Sequence, residues 1–215
     1  ETPAPALVWV HGGPGGQSRA GYSAVIQHLV NNGYAVYAAN NRGSSGYGKT
    51  FYHLDDRRHG EDDLRDIVEG RRYLESLDWV DGERIGVMGG SYGAYAALTG
   101  AFREPELFRC AVGVAGVYDL ELMFDDGDIR TAMKGQAYLE AVLGRDAVTL
   151  QERSPVHNAE RIEAAVLLAH GDLDERAPIE HAFRMRRALR RAGNAPVWIR
   201  ERKEGHGFMD EENRR

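Results

Sequence analysis

Short apolar runs recur along this chain, with stretches of helical spacing between them. That alternation limits the possible folds more than any other feature. Residues 6–10 (Ala-Leu-Val-Trp-Val), 34–39, 84–88, 110–115, 165–169 and 197–201 read as strands. Short apolar runs without polar alternation suit strands buried on both faces, as in a parallel sheet. Residues 22–32 carry Val25, Ile26, Leu29 and Val30 on one side and stop at Gly33. Residues 62–77 set Leu64, Ile67, Val68, Tyr73, Leu74 and Leu77 at near-helical spacing, with acidic residues in the first turn, where the helix dipole favours them. Residues 92–103 and 178–192 read as two more helices. Pro105 ends the first; Pro178 opens the second, which turns Ile179, Ala182, Phe183 and Leu189 inward. Strand followed by helix predicts an α/β fold, a doubly wound, mostly parallel sheet flanked by helices, with function at the C-terminal strand ends. Residues 119–150 break the pattern and read as an excursion of short helices. No repeat, linker or low-complexity tract divides the chain, which predicts one domain over residues 1–215.

Gly89-Gly90-Ser91-Tyr92-Gly93 reads G-x-S-x-G and joins the predicted strand at 84–88 to the helix at 92–103. Strand, sharp turn, helix is the context of a nucleophile elbow, which presents a serine Oγ at the end of its strand. Glycines let the backbone turn tightly there and leave no Cβ to crowd the serine. Taken alone, the pentapeptide also fits a plain strand-to-helix turn. Two further loops change the balance. Asp172 and Asp174 follow the strand at 165–169, and His206 follows the strand at 197–201. The order Ser, Asp, His is the chain order of the α/β-hydrolase triad. A serine hydroxyl is a weak nucleophile near neutral pH. It needs an imidazole as base, and the imidazole needs a carboxylate to fix its tautomer and stabilise its cation. Each member alone has a structural alternative: either aspartate as a turn or cap residue near Pro178, His206 as a loop histidine.

Acyl transfer also needs an oxyanion hole. The backbone N–H of Tyr92 is its expected first donor. The second donor is a backbone N–H from His11-Gly12-Gly13, or a side-chain hydroxyl from residues 40–50. His11 and His170 both end strands and read as structural residues satisfied by backbone groups. His53, His59 and His157 read as surface or loop positions. Gly12-Gly13-Pro14-Gly15-Gly16 lacks the spacing of a phosphate loop, and no spacing in the chain suggests a metal site.

A net charge of -6 argues against nucleic acid as a partner. Basic residues between Arg184 and Arg202 fall on a predicted helix and strand and read as a solvated face. No run approaches the about 18 apolar residues of a membrane-spanning helix. The single cysteine, Cys110, lies in an apolar strand, so the expectation is packing rather than a disulfide, and a cytoplasmic location. The chain starts at Glu1 rather than Met, which leaves a removed signal or an upstream domain open.

Several segments together resemble the catalytic domain of the prolyl oligopeptidase family of serine peptidases, near its acylaminoacyl-peptidase and dipeptidyl-peptidase branches. They are Trp9-Val10-His11-Gly12-Gly13-Pro14, Asn41-Arg42-Gly43-Ser44-Ser45-Gly46-Tyr47-Gly48, Gly89-Gly90-Ser91-Tyr92-Gly93-Ala94-Tyr95, Ser154-Pro155, His170-Gly171-Asp172-Leu173-Asp174-Glu175-Arg176-Ala177-Pro178 and Glu204-Gly205-His206-Gly207-Phe208. They span nearly the whole chain in the family's order. The resemblance implies an α/β-hydrolase fold with Ser91 as nucleophile, His206 as base and Asp174, rather than Asp172, as orienting carboxylate. It implies that Tyr47 lends its hydroxyl to the oxyanion hole beside the Tyr92 N–H. Arg176 matches a position that holds a substrate carbonyl in several members; a surface salt bridge is its competing role. Val117 and Leu120 match positions lining the pocket for the residue before the scissile bond, with core packing as the alternative. Ala94 departs from a glycine common in the family, and a methyl there is expected to be tolerated. The family's N-terminal β-propeller, its earlier strands and its helix after His206 are not in this sequence, so a fragment or trimmed form is expected. The expected function is a serine peptidase that cleaves short peptides or acylated amino acids, with no metal or organic cofactor. A carboxylesterase on the same triad and a non-catalytic hydrolase-fold binding domain are the alternatives. The expected partner is a small peptide or ester, with no nucleic acid and no membrane; a homo-oligomer is left open.

Overall fold

The computed structural model describes residues 2–214. Strands β1 (Ala4–Val10), β2 (Ala35–Ala39), β3 (Val80–Gly90), β4 (Cys110–Val114), β5 (Ala165–Gly171) and β6 (Val197–Glu201) form one six-stranded sheet. Its order is β2-β1-β3-β4-β5-β6, and every neighbouring pair is parallel. The helices are α1 (Ala24–Asn31), α2 (Lys49–Tyr52), α3 (Asp62–Glu75), α4 (Tyr92–Arg103), α5 (Leu122–Asp125), α6 (Asp128–Thr131), α7 (Gly135–Leu143), α8 (Ala147–Arg153) and α9 (Glu180–Arg191). The chain leaves β1 for β2 on one side and crosses to β3 on the other. The loops after β1 and β3 therefore diverge, which opens a crevice at this switch point.

Alternate residues of β1 explain the core. Ala6, Val8 and Val10 join one buried cluster with Ile67, Val68 and Leu74 of α3 and Leu98 and Phe102 of α4. Fully burying one such side chain contributes about 1.5–3 kcal/mol. Every residue of α4 from Tyr92 to Phe102 is buried, so the helix that carries Ser91 at its start is clamped on all sides. The opposite face of the sheet is less covered. Trp9, Val36, Met88, Val112 and Leu167 are half-buried there, and Val197 is 61% exposed.

Several boundaries differ from the sequence expectation; α9 starts at Glu180 with Ile179 as its cap, so Pro178 precedes the helix rather than lying in its first turn. β3 starts at Val80 rather than residue 84, because its polar lead-in reaches β1 through a Val80–Ala4 pairing before a register shift. α1 starts at Ala24 rather than residue 22, because Ser23 caps it by accepting from the Ile26 N–H at 3.4 Å. The loop expected over residues 40–50 ends in the single turn α2. The excursion is built of short helices, α5 to α8, as its mixed pattern implies. Among the described residues, no helix is long and apolar enough to cross a membrane.

Candidate active site

Ser91 caps α4 with φ 56 and ψ -121, a left-handed conformation that an L-residue adopts at a cost. Its backbone N–H donates to the Val114 carbonyl at 2.9 Å, which ties the turn to β4. The glycine at position 93 is explained by contact: a Cβ there would overlap the Val10 carbonyl. The start of α4 thus sits directly against the end of β1. Ala94 is tolerated because its methyl fills space left by Gly113 and Gly116; a Cβ on Gly113 would lie 3.3 Å from it.

His206 stands in the loop after β6, and Asp174 in the loop after β5. A Cβ on Gly171 would overlap the Glu204 carbonyl, so the two loops touch at this glycine. His206 Nδ1 lies 2.9 Å from Asp174 Oδ2 and 3.0 Å from Oδ1, and its Nε2 lies 3.0 Å from Ser91 Oγ. Nδ1 faces only carboxylate oxygens, so it carries the hydrogen. Nε2 is left with its lone pair towards the serine. The Asp174 carboxylate is buried and also receives the backbone N–H groups of Arg176 at 3.0 Å and Ala177 at 2.8 Å. Burial alone would raise its pKa. Hydrogen bonds from His170, His206 and the Ala177 amide outweigh that and hold it well below the usual carboxylate range. Asp172 is engaged elsewhere: Arg200 binds it through Nε at 2.6 Å and Nη2 at 2.8 Å. Of the two carboxylates, Asp174 meets the imidazole.

A cavity of about 360 Å³ opens beside Ser91. Val117, Leu120, Met123, Ile129, Leu139 and Leu143 line it together with Ser91, Tyr92, Arg176 and His206. Much of this wall comes from α5, α6 and α7, so the excursion that interrupts the strand–helix pattern is what shapes the cavity. Val117 and Leu120 both belong to this lining. Arg176 reaches the cavity and also ion-pairs with Asp128 of α6 at 2.6 Å.

The two routes to a second oxyanion donor lie in different places. Gly12 and Gly13 line the cavity, and a Cβ on Gly12 would lie 3.4 Å from the Ser91 Cβ. Tyr47 is not among the lining residues and is 51% exposed. Asn40 binds the backbone of Ser18 through both amide atoms, at 2.7 Å and 2.9 Å, which fixes its orientation. Its Nδ2 then donates to the Tyr47 hydroxyl at 2.9 Å. That hydroxyl accepts, so its own hydrogen remains for another acceptor. Tyr92 offers its N–H at the first position of α4, where no intrahelical acceptor exists. Its ring is buried, and its hydroxyl binds Asp63.

His59 lies in a loop, one of its two expected places, and is only 3% exposed there while lining the cavity. Its Nδ1 donates to the Asp55 carbonyl at 2.7 Å, and its ring meets Tyr92 edge-on. Burial pushes the neighbouring Asp55 carboxyl up to about 6. Its polar surroundings, Arg57-Arg58-His59-Gly60-Glu61, disguise that burial in the sequence. His53 and His157 are exposed loop and turn residues, as expected. His11 binds the Gly12 carbonyl and Ser44, both at 2.8 Å. Asp119, Glu121 and His157 bring ligand-type atoms within 4.8 Å of one another. Arg184 already neutralises Asp119 at 2.8 Å, and Glu121 accepts from Gln151 at 3.0 Å, so both carboxylates are already engaged by protein groups.

A sequence profile of the prolyl oligopeptidase family matches residues 20–215. The chain is 32% identical to the dipeptidyl aminopeptidase BIII of Pseudoxanthomonas mexicana, over 99% of this chain and 32% of that protein. Among solved structures, an acylaminoacyl peptidase in complex with Z-Gly-Gly-Phe-chloromethyl ketone superposes with a TM-score of 0.87 at 28% identity, over 96% of this chain and 33% of the other. A puromycin-hydrolyzing peptidase of Mycobacterium tuberculosis superposes with a TM-score of 0.90 at 26% identity, over 97% and 31%. The chain therefore spans about a third of the length of these relatives.

Proposed function

The chain belongs to the prolyl oligopeptidase family, and from that premise we propose that it is a serine peptidase acting on short peptides or acylated amino acids through Ser91, His206 and Asp174. The observation that carries the proposal is the continuous line from Ser91 Oγ through His206 to the Asp174 carboxylate, at 3.0 Å and 2.9 Å. His206 Nε2 takes the Ser91 proton as Oγ attacks the scissile carbonyl. The Tyr92 N–H and the unspent hydrogen of the Tyr47 hydroxyl stabilise the oxyanion, with the Gly12–Gly13 backbone as the other source of a second donor. His206 then gives its proton to the leaving amine, which departs and leaves an acyl-enzyme. Water, deprotonated by His206, attacks the acyl carbon. The proton returns to Ser91 as the acid product leaves.

The apolar cavity supports a bulky apolar residue before the scissile bond, with Arg176 at its edge available to a substrate carbonyl. The related acylaminoacyl peptidase was captured with a ligand ending in phenylalanine, which fits such a pocket. Ile129 lines the cavity and is only partly buried, so it can be enlarged without rebuilding the core. Ile129→Trp is expected to raise KM for N-acetyl-phenylalanine p-nitroanilide by roughly 10–100-fold, with little change for the alanine analogue. Equal effects on both substrates would place the side chain elsewhere.

The test of the proposal pairs a fluorophosphonate probe with amide turnover. The expected result is one adduct on Ser91, with hydrolysis of the phenylalanyl anilide. An adduct together with turnover of p-nitrophenyl esters alone would make the protein an esterase. No adduct on folded protein would make it a non-catalytic domain.

A further inference from the structure

We infer that His170 is a positioning residue that, together with His206, holds Oδ2 of the Asp174 carboxylate. The inference rests on the reading of Asp174 as the triad carboxylate. His170 ends β5 and is fully buried. Its Nε2 lies 2.8 Å from the Ala177 carbonyl and 3.3 Å from Asp174 Oδ2. Both neighbours are acceptors, so Nε2 carries a hydrogen and shares it between them. Asp174 Oδ1 is already held by two backbone amides, whereas Oδ2 has side-chain partners only, His206 and His170. His170 is thus the group that keeps Oδ2 from following His206 when the imidazole moves between serine and leaving group.

His181 of α9 is buried, and its Nδ1 lies 3.3 Å from the backbone N–H groups of both Tyr118 and Asp119. Two donors point at Nδ1, so it holds a lone pair and the hydrogen is on Nε2. Burial, above all, pushes the His181 pKa down to about 4; His170 and Arg184 add to this, while Asp119 and Asp126 oppose it. The ring is therefore neutral at neutral pH. His181 Nε2 and His170 Nδ1 are each buried without a hydrogen-bond partner. No hydrogen bond joins the two rings, so the two acceptors at its Nε2 set the His170 tautomer, with the hydrogen towards Ala177 and Asp174. The resulting line runs from His170 through Asp174 and His206 to Ser91. A sequence reading of His170 as structural captures the Ala177 contact and misses the carboxylate.

The experiment compares His170→Gln, whose amide N–H reaches the Nε2 position, with His170→Met, which keeps similar bulk and has no donor. Kinetics with N-acetyl-phenylalanine p-nitroanilide are measured across pH. For His170→Met, kcat is expected to fall roughly 10–100-fold with KM within about twofold, since a hydrogen bond to an ionised group is lost without touching the substrate. The acid limb of kcat/KM is expected to move to higher pH, because a carboxylate no longer sharing its charge with His170 holds the His206 proton more tightly. His170→Gln is expected to stay within about threefold of wild type. Equal losses in both variants, or an unchanged acid limb in His170→Met, would overturn the inference. If the methionine variant does not fold, His170→Asn repeats the test, because its shorter amide stops short of Asp174; a wild-type kcat there overturns the inference. Fluorophosphonate labelling of the wild type separates the two levels. An unlabelled, folded wild type removes the triad reading and this inference with it. A labelled wild type beside a fully active His170→Met removes this inference alone.

Discussion

Asp174→Asn is expected to lower kcat by about 10⁴-fold, with KM and the melting temperature changed far less. The size of the effect follows from the hydrogens around the carboxylate. Oδ1 accepts the Arg176 and Ala177 amides, so the asparagine carbonyl oxygen is drawn to that position. The amide NH2 then falls at the Oδ2 position, opposite the His206 Nδ1 hydrogen at 2.9 Å and the His170 Nε2 hydrogen at 3.3 Å. Donor meets donor on both sides. His206 relieves this by moving its hydrogen to Nε2, and Nε2 then points a hydrogen at Ser91 and takes no proton from it. A variant within tenfold of wild type would show that His206 is oriented by something other than Asp174. Stability carries its own signature. The folded pKa of Asp174 is depressed, so its anion stabilises the fold above the unfolded carboxylate range, and that contribution is lost as pH falls towards the lowered folded value. The asparagine variant is expected to lose this pH dependence, which melting curves across acidic pH would show.

How far this site was legible in the sequence depends on whether a residue acts locally or through a partner. Ser91, Asp174 and His206 each end a strand or follow one, and a parallel sheet brings such ends to one edge whatever their separation in the chain. Strand runs and loop positions therefore sufficed to place Ser91, His206 and the loop that holds both aspartates. Asp172 and Asp174 could not be separated that way, because both sit in the same loop. The distinction lies in Arg200, whose pairing with Asp172 depends on the register of β5 against β6. The cavity wall was least legible. Ile129, Leu139 and Leu143 come from helices too short to show a period, and their burial is tertiary. The burial of His59 and the second neighbour of His170 were hidden for a related reason. A histidine's role is set by what faces each ring nitrogen, and adjacent residues do not reveal that. The start of β3 was hidden by its polar lead-in, where Asp81 to Arg84 pattern like a loop although Val80 already pairs with Ala4.

Ser91 separates chemistry from backbone strain more cleanly than any other position. Ser91→Ala is expected to lower kcat by about 10⁵–10⁶-fold, leaving only what the oxyanion donors and binding supply. Alanine keeps a Cβ, so the left-handed backbone at φ 56 remains as costly as in the wild type. Ser91→Gly removes the same nucleophile and also the Cβ. Glycine adopts such a conformation freely, whereas other L-residues bear about 1–2 kcal/mol there. For a chain of this length, that relief corresponds to a rise in melting temperature of roughly 2–8 °C, reduced by the extra freedom glycine gains in the unfolded state. The expected pattern is equal loss of turnover in the two variants with a higher melting temperature for glycine than for alanine. Equal melting temperatures would mean that the turn is held in shape without strain, leaving the Ser91 backbone bond to Val114 and the close packing of Gly93 on Val10 to set it. Retained turnover in either variant would show that Ser91 is not the attacking group.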